Sequence, residues 1–566
     1  MTPRGRAAGA AELIFTNGRV YTVDERFSVA EAVSVRDGKI HTLGSAKDVL
    51  AAAGPDTRVV DLRGGSLLPG FVDAHAHMDR EGLKYVYPSL AGARSIEDIL
   101  AIVRTHASKT PRGGWVVTMP VGDPPFYQNV PGCLREGRLP DRHDLDRAAP
   151  DHPVFIRGIW GHWNRPPILS IANSRALAAA GITRDTQPPY EGIEIGRDAD
   201  GAPNGVFTEH EFVPALEFTL MSVVPRFDHA MRMAAMRESL ARYHAAGVTS
   251  ACEAHGVADE VLRVFRETHR AGALSVRSNL VVSPPAGTAV SPELESMMAA
   301  GAFGGDGLAT GDHWLRVAGI YAQLGGNPAV ARLLARAAPY TGWGSYYYDA
   351  VDSARFRDTV FAAARHGVRV FTIASSEAAV SEVLAAFEEA HRRYDVASRR
   401  WVICHLYMLS VAHLEAMRRL GVVACAIPAT SVWKNGTLRL AQLTPDARTR
   451  FAPYREIVEA GVPFCLATDN APPRPFFILW SVIARTGVDG AAVAPAQALT
   501  REQALRAMTT SGAWLTFEEN VKGSIEPGKY ADLVAIDADW LGMPEGAIRE
   551  LAPAMTVVGG CVVFER

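Results

Sequence analysis

The chain has 566 residues, 48% of them hydrophobic and 21% charged, with a formal net charge of −3. That length exceeds one ordinary core, so two or more packing units are expected. The near-balanced charge leaves no electrostatic footprint for a nucleic acid partner, no run approaches the roughly 20 apolar residues of a membrane span, and six scattered cysteines without a C-x-x-C pair point to free thiols rather than a disulfide framework. Arg4 and Arg6 precede no apolar stretch of signal-peptide length, so a cytoplasmic enzyme is expected.

The first segment reads as all-β. Leu13-Ile14-Phe15 and Arg19-Val20-Tyr21-Thr22-Val23 flank Asn17-Gly18, a hairpin signal. Asp37-Gly38 separates Glu31-Ala32-Val33-Ser34-Val35 from Lys39-Ile40-His41-Thr42-Leu43, and a further strand, Arg58-Val59-Val60-Asp61-Leu62, precedes Gly64-Gly65. An apolar run then ends in Asp73-Ala74-His75-Ala76-His77. In extended backbone, residues i and i+2 point to one side, so both imidazoles face one point. Neutral imidazole is a good zinc ligand. In a loop, His-x-His is a chance pair; at the end of Leu67-Leu68-Pro69-Gly70-Phe71-Val72 it reads as half of a metal site.

Residues 81–227 are rich in Pro, Gly, Asp and Trp and fit a single strand–helix repeat poorly. They read as a large insertion folded over a barrel mouth. Beyond them, helix, glycine and strand recur: 228–246 before Val248, 356–364 before Val368, 411–420 before Val422 and 454–460 before Phe464. Such units imply a parallel sheet with helices outside. At this length a (β/α)8 barrel of the TIM type is favoured, with its site at the C-terminal strand ends. No G-x-G-x-x-G follows a strand, which argues against a dinucleotide fold. Thr500-Arg501-Glu502-Gln503 is a capping box opening a late helix. Residues 530–536, and 555–564 about Gly559-Gly560, return to β character. The expected division is residues 1–68 as the N-terminal part of one small β-sandwich, residues 69–499 as the barrel with its insertion, and residues 500–566 as the last helix and the C-terminal part of the sandwich.

The run from Leu67 to His77 resembles the first barrel strand of the amidohydrolase superfamily, and the chain is most similar to amidohydrolase family 3, the YtcJ-like proteins. Asn17-Gly18, Asp37-Gly38-Lys39-Ile40, Asp146-Arg147-Ala148-Ala149-Pro150, Gly161-His162, Asn173-Ser174-Arg175-Ala176-Leu177, Gly205-Val206-Phe207-Thr208-Glu209 and the stretch 523–532 carry the similarity along nearly the whole chain. The resemblance implies a metal-dependent hydrolase of amide-like C–N bonds using one or two divalent ions, usually zinc. It implies His75 and His77 as ligands, Glu209 as a metal-site carboxylate, His405 after Trp401-Val402-Ile403-Cys404, and Asp469 after Phe464-Cys465-Leu466-Ala467-Thr468 as ligand and proton shuttle. The plain alternative for Glu209 is a salt-bridged surface residue. Two positions depart from the family pattern. Where it has a strand-end histidine this chain has Ile373 or Thr372, and the run Gly319-Ile320-Tyr321-Ala322-Gln323-Leu324 lacks the family lysine. One ion, zinc before other metals, is therefore expected rather than two.

Glu253 and His255 end another strand at i and i+2 spacing and could compensate. His162, between Trp160 and Trp163, reads either as a substrate contact or as packing; Trp163 and Tyr321 are further candidate contacts, and Arg474 could hold a substrate carboxylate. Aromatics near the expected mouth suit a small, largely apolar or aromatic substrate. In the expected chemistry, the ion lowers the pKa of a water, Asp469 moves its proton and His405 ligates metal or polarises the carbonyl. A decarboxylase, C–C lyase or isomerase with an altered metal site is one competing expectation, and a non-catalytic binding barrel another. A small-molecule substrate is the expected partner, without nucleic acid or membrane, and homodimers are common among such barrels.

Overall fold

The computed structural model describes residues 10–163, 167–285, 292–304 and 310–566. The basic stretch holding Arg4 and Arg6 lies outside the described residues. Eight strands lie parallel in chain order: β1 (Phe71–Asp73), β2 (Val248–Val257), β3 (Arg277–Val282), β4 (Leu315–Tyr321), β5 (Val370–Ala374), β6 (Val402–His405), β7 (Val423–Ala426) and β8 (Phe464–Leu466). They are buried along most of their length because parallel strands under helices are covered on both faces, although β2 and β3 carry polar residues such as Ser250, Glu253, Arg277 and Asn279. β8 returns beside β1, where the Ala74 N–H reaches the Leu466 carbonyl at 3.4 Å and the Asp469 N–H donates to the His75 carbonyl at 3.0 Å. The expected TIM-like (β/α)8 barrel is therefore present.

Local sequence sets the helix that feeds β2. Asp228 caps Met231 at the start of His229–Ala245, and Gly247, at φ 81°, turns the chain into the strand. The capping box at Thr500 forms with Gln503 as read. β6, β7 and β8 place Cys404, Cys425 and Cys465 in register on neighbouring strands, all free thiols.

Both termini contribute to the sandwich. One sheet orders Lys39–Gly44, Ala32–Arg36, Leu13–Thr16 and Arg58–Asp61; the other orders Cys561–Glu565, Met555–Val558, Leu533–Ile536, Ser66–Pro69, Arg19–Tyr21 and Val29–Ala30. Leu13, Phe15, Val33, Leu67, Leu533 and Val557 pack between them. Asp37-Gly38 is the expected hairpin turn, with φ 51° and 73° and Arg36 opposite Lys39. Asn17-Gly18 is not. Its flanking strands lie in different sheets, so the turn hands the chain from one to the other. The Asn17 side chain bonds Asp61 at 2.7 Å, and a Cβ on Gly18 would sit 2.5 Å from the Leu62 Cβ. Tertiary packing here overrides a local signal.

Between β1 and β2 the chain forms a separate five-stranded sheet, ordered Ile193–Arg197, Pro203–Glu209, Ile168–Ala172, Val154–Ile156 and Val116–Thr118. It has its own core around Ile99, Leu100, Val103, Leu145 and Val154. No helix among the described residues is long and apolar enough to cross a membrane.

A buried ion pair ties barrel to sandwich. Arg277 on β3 makes bonds of 2.8 and 3.0 Å to Asp532, which also accepts the Gly559 N–H at 2.8 Å. Removing one partner of such a pair leaves an uncompensated buried charge, at a cost of about 3–5 kcal/mol. Asp532→Ala is expected to lower unfolding stability by that amount in urea titration, and an unchanged midpoint would show that the pair does not fasten the two units.

Candidate metal centre and active site

The site is built where β1 meets β8. Asp73, buried in β1, accepts the Thr468 N–H at 3.0 Å and the Thr468 hydroxyl. One step on, the Asp469 N–H donates to the His75 carbonyl. Another step on, the Asn470 amide donates to the His77 carbonyl at 2.7 Å and to Glu81 Oε2 at 2.8 Å, while its Oδ1 accepts from Tyr243. This ladder holds two unusual backbones: Asp469 and Asn470 both sit at φ 51°, the left-handed region that non-glycine residues rarely occupy. His405, at the end of β6, has φ 80°.

These backbones bring four imidazoles to one carboxylate. Asp469 Oδ1 lies 3.0 Å from His77 Nε2 and 3.7 Å from His75 Nε2; Oδ2 lies 2.5 Å from His162 Nε2 and 3.8 Å from His405 Nε2. Burial alone would raise the Asp469 carboxyl, but His162, His77 and His75 outweigh it and hold it well below the usual carboxylate range. Burial outweighs the attraction of Asp469 at the imidazoles and lowers His75 and His162, with His405 pushed down to about 3. Burial thus favours neutral imidazoles at His75, His162 and His405 beside an ionised carboxylate, the protonation states a divalent ion needs. Both ring nitrogens of His75, and Nε2 of His405, are buried without a hydrogen-bond partner. Buried polar atoms are rarely left so; a ligating ion satisfies one ring nitrogen of His75, and His405 Nε2 is available to ion or substrate. The donor set of imidazole nitrogen and carboxylate oxygen suits zinc and neighbouring divalent ions.

Above the cluster lies a cavity of about 710 Å³. His77, His162, His255, His405 and Asp469 form its floor, and Trp160, Phe212, Tyr321, Tyr346, Tyr348 and Tyr407 line its walls. Phe212, from the insertion, and Leu438, from the helix Gly436–Ala441, also line it and are 56% and 55% exposed. His162 comes from the insertion, and the Lys434 ammonium, on the π-helical turn Ala429–Lys434 after β7, holds its carbonyl. A second cavity, of about 440 Å³, lies against the insertion sheet and is lined by Val121, Tyr127, Leu139, Ile159, Leu169 and others, with no carboxylate, imidazole or amine among the described residues.

The sequence profile of the amidohydrolase family matches residues 58–564. The chain belongs to the amidohydrolase family. Its members' chemistry makes it a hydrolase acting on carbon–nitrogen bonds. It is 27% identical to the N-substituted formamide deformylase of Arthrobacter pascens, over 98% of either chain. It is 25% identical to the putative amidohydrolase YtcJ of Bacillus subtilis (strain 168), over 98% of this chain and 99% of that one. An uncharacterized metal-dependent hydrolase from Pyrococcus furiosus shares the fold at a TM-score of 0.65 and 20% identity, over 94% of this chain and 99% of the other.

Within this amidohydrolase barrel the structure brings together His75, His77, His162, His255, His405, Asp469 and Tyr321. Three other residues singled out in the sequence lie elsewhere. Trp163 is buried against Trp343 at 5.7 Å with the Lys84 ammonium over its ring, so it packs the insertion. Arg474 bonds the Arg549 carbonyl at 3.0 Å beside a separate surface cavity. Glu209 ends the insertion strand and turns its carboxylate to the Leu216 N–H at 2.9 Å; among the described residues it joins none of the groups whose donor atoms converge for an ion. Glu253 lies behind His77, accepting the Met78 N–H at 2.9 Å beside Asp79. Ile373 faces the cavity from the end of β5 with no donor to offer. The reading of sequence missed Asp73, Tyr243 and Asn470 as positioning residues. Asp73 carried a signal, standing two residues before His75 in the same run.

Glu209 has a measurable consequence. Burial raises its carboxyl from 4.5 to about 8. The folded chain therefore keeps a proton that the unfolded chain gives up above pH 4.5. Stability contributed by this group is full below that pH and is lost as pH rises toward about 8. Glu209→Gln is expected to flatten this decline in denaturant midpoints between pH 5 and 8; an unaltered slope would place the proton elsewhere.

Proposed function

We propose that this enzyme hydrolyses an amide-like C–N bond in a small, largely apolar or aromatic molecule, with one divalent ion, zinc, held by His75, His77 and Asp469 with His405 beside them. The observation carrying the reading is the Asp469 carboxylate among four imidazoles on the floor of an aromatic cavity. The ion supplies Lewis acidity, lowering the pKa of a water and polarising a carbonyl. Asp469 takes the proton of the attacking water and delivers it to the leaving nitrogen. His405, kept neutral by burial and stacked on Tyr407 at 5.9 Å, offers its unpartnered Nε2 to the carbonyl oxygen. His162 holds the outer oxygen of Asp469 and so sets the carboxylate's direction. The aromatic walls exclude water and take up the apolar substituent. The name of the Arthrobacter relative supports an N-substituted formamide as the first substrate to try. The near-neutral charge supports an enzyme acting on a small molecule without a nucleic acid partner.

The test is metal analysis of protein purified without chelator, followed by assay of N-formyl and N-acyl arylalkylamines. About one ion per chain and stoichiometric amine release are expected. Release of carbon dioxide from a carboxylated analogue without amine would move the chemistry to decarboxylation, and a chain that neither holds nor responds to zinc or manganese would overturn the reading.

A further inference from the structure

We infer that His255, at the end of β2, is a third imidazole ligand of the ion, joining His75 and His77. The inference rests on the metal-dependent reading above and adds a residue to it.

The three side chains already surround one point. One ring nitrogen from each of His75, His77 and His255 lies within 4.8 Å of the others. The ring centroids are 5.1 Å apart for His75 and His77, 5.9 Å for His75 and His255, and 5.8 Å for His77 and His255. No hydrogen-bond partner holds the His255 ring nitrogens among the described residues, so its placement comes from its scaffold. That scaffold is specific. β2 runs ten residues and slips register against β3 between Glu253 and Val257. Such irregularities re-aim side chains at strand ends. Gly256 follows at φ 88°, where a Cβ would lie 2.8 Å from Tyr321 Cβ and 3.3 Å from Ser283 Cα. Only glycine fits the kink that turns His255 inward. The ring is then fixed on two sides, stacked on Tyr346 at 4.3 Å and edge-on to Tyr321 at 4.8 Å.

Among the described residues, the next two strands after β3 offer no imidazole or carboxylate here, and the other converging group at this floor, His75 with His405 and Asp469, lies on the far side of His75 in chain order. β4 presents Tyr321 and β5 presents Ile373 to the cavity. A further imidazole ligand adds no negative charge to the ion, which favours ionisation of its water near neutral pH. It also lightens the share of the ion that Asp469, whose Oδ1 is 3.0 Å from His77, must hold while it carries protons.

The test compares wild-type enzyme with His255→Ala by chelator competition and by the visible spectrum of the Co²⁺-substituted proteins. His255→Ala is expected to release its ion at a chelator concentration at least about tenfold lower, the smallest loss seen when even outer groups around a metal are removed. Its cobalt bands are expected to change in position and intensity. His255→Gln gives the same readout should the alanine variant fail to fold. An unchanged competition curve and cobalt spectrum would overturn the ligand assignment while leaving the metal-dependent reading intact; wild-type protein that binds neither zinc nor cobalt would overturn both.

Discussion

Asp469→Asn is expected to lower kcat by about 10³-fold or more, within the range that positioned acid–base groups contribute, while circular dichroism stays that of the wild type. The amide keeps the volume of the carboxylate, and the Asp469 N–H still reaches the His75 carbonyl at 3.0 Å. What is lost is the charge that His162, His77 and His75 hold well below its usual pKa, and with it the only carboxylate on the cavity floor among the described residues. Glu211, the other acid lining the cavity, sits next to Phe212 on the rim. A variant retaining a tenth of wild-type kcat would show that another group carries the proton.

His77→Ala is expected to lower affinity for the ion by more than about 100-fold, beyond the range seen for outer groups, and to reduce turnover in proportion at limiting metal. His77 stands in both halves of the site. Its Nε2 lies 3.0 Å from Asp469, and it shares the three-imidazole group with His75 and His255. Its backbone carbonyl is already held by Asn470 at 2.7 Å, so removal of the ring leaves the turn in place. Restored turnover at saturating zinc would mean that the ring serves binding alone; persistent loss at full occupancy would give it a part in the chemistry.

The barrel was legible because its period is short-range. Helix, glycine and strand repeat along the chain, and His75 and His77 share a side because strand geometry has a period of two. Thr468-Asp469 was legible for the same reason, an apolar run ending in a polar pair. The insertion was not. Glu209 and Glu211 differ by two positions in one segment, yet one carboxylate caps a turn and the other lines the cavity. Which of them faces the site depends on how the insertion's sheet docks, and no local pattern encodes that. Arg474 illustrates the same limit: it follows Asp469 by five residues, but Ala471-Pro472-Pro473 carries the chain out to Arg549 before it can return. Asn17-Gly18 shows the limit in reverse, since a strong turn signal sets the turn but not the sheet each strand joins.

The β1–β8 ladder also sets an order of events. Asp73 and Thr468, whose bond aligns His75 with Asp469, are separated by 395 residues. Contacts of that span form late, because the loop between them must first be organised. A half-assembled chain, with strands β2 to β7 in place and the ends apart, can gather some imidazoles but cannot present Asp469 to them. Binding that requires the completed ring stabilises it by mass action and gives nothing to its precursors. Closure of the ring is therefore the step that brings the proton carrier Asp469 to the imidazoles, and it needs both ends of the barrel in place.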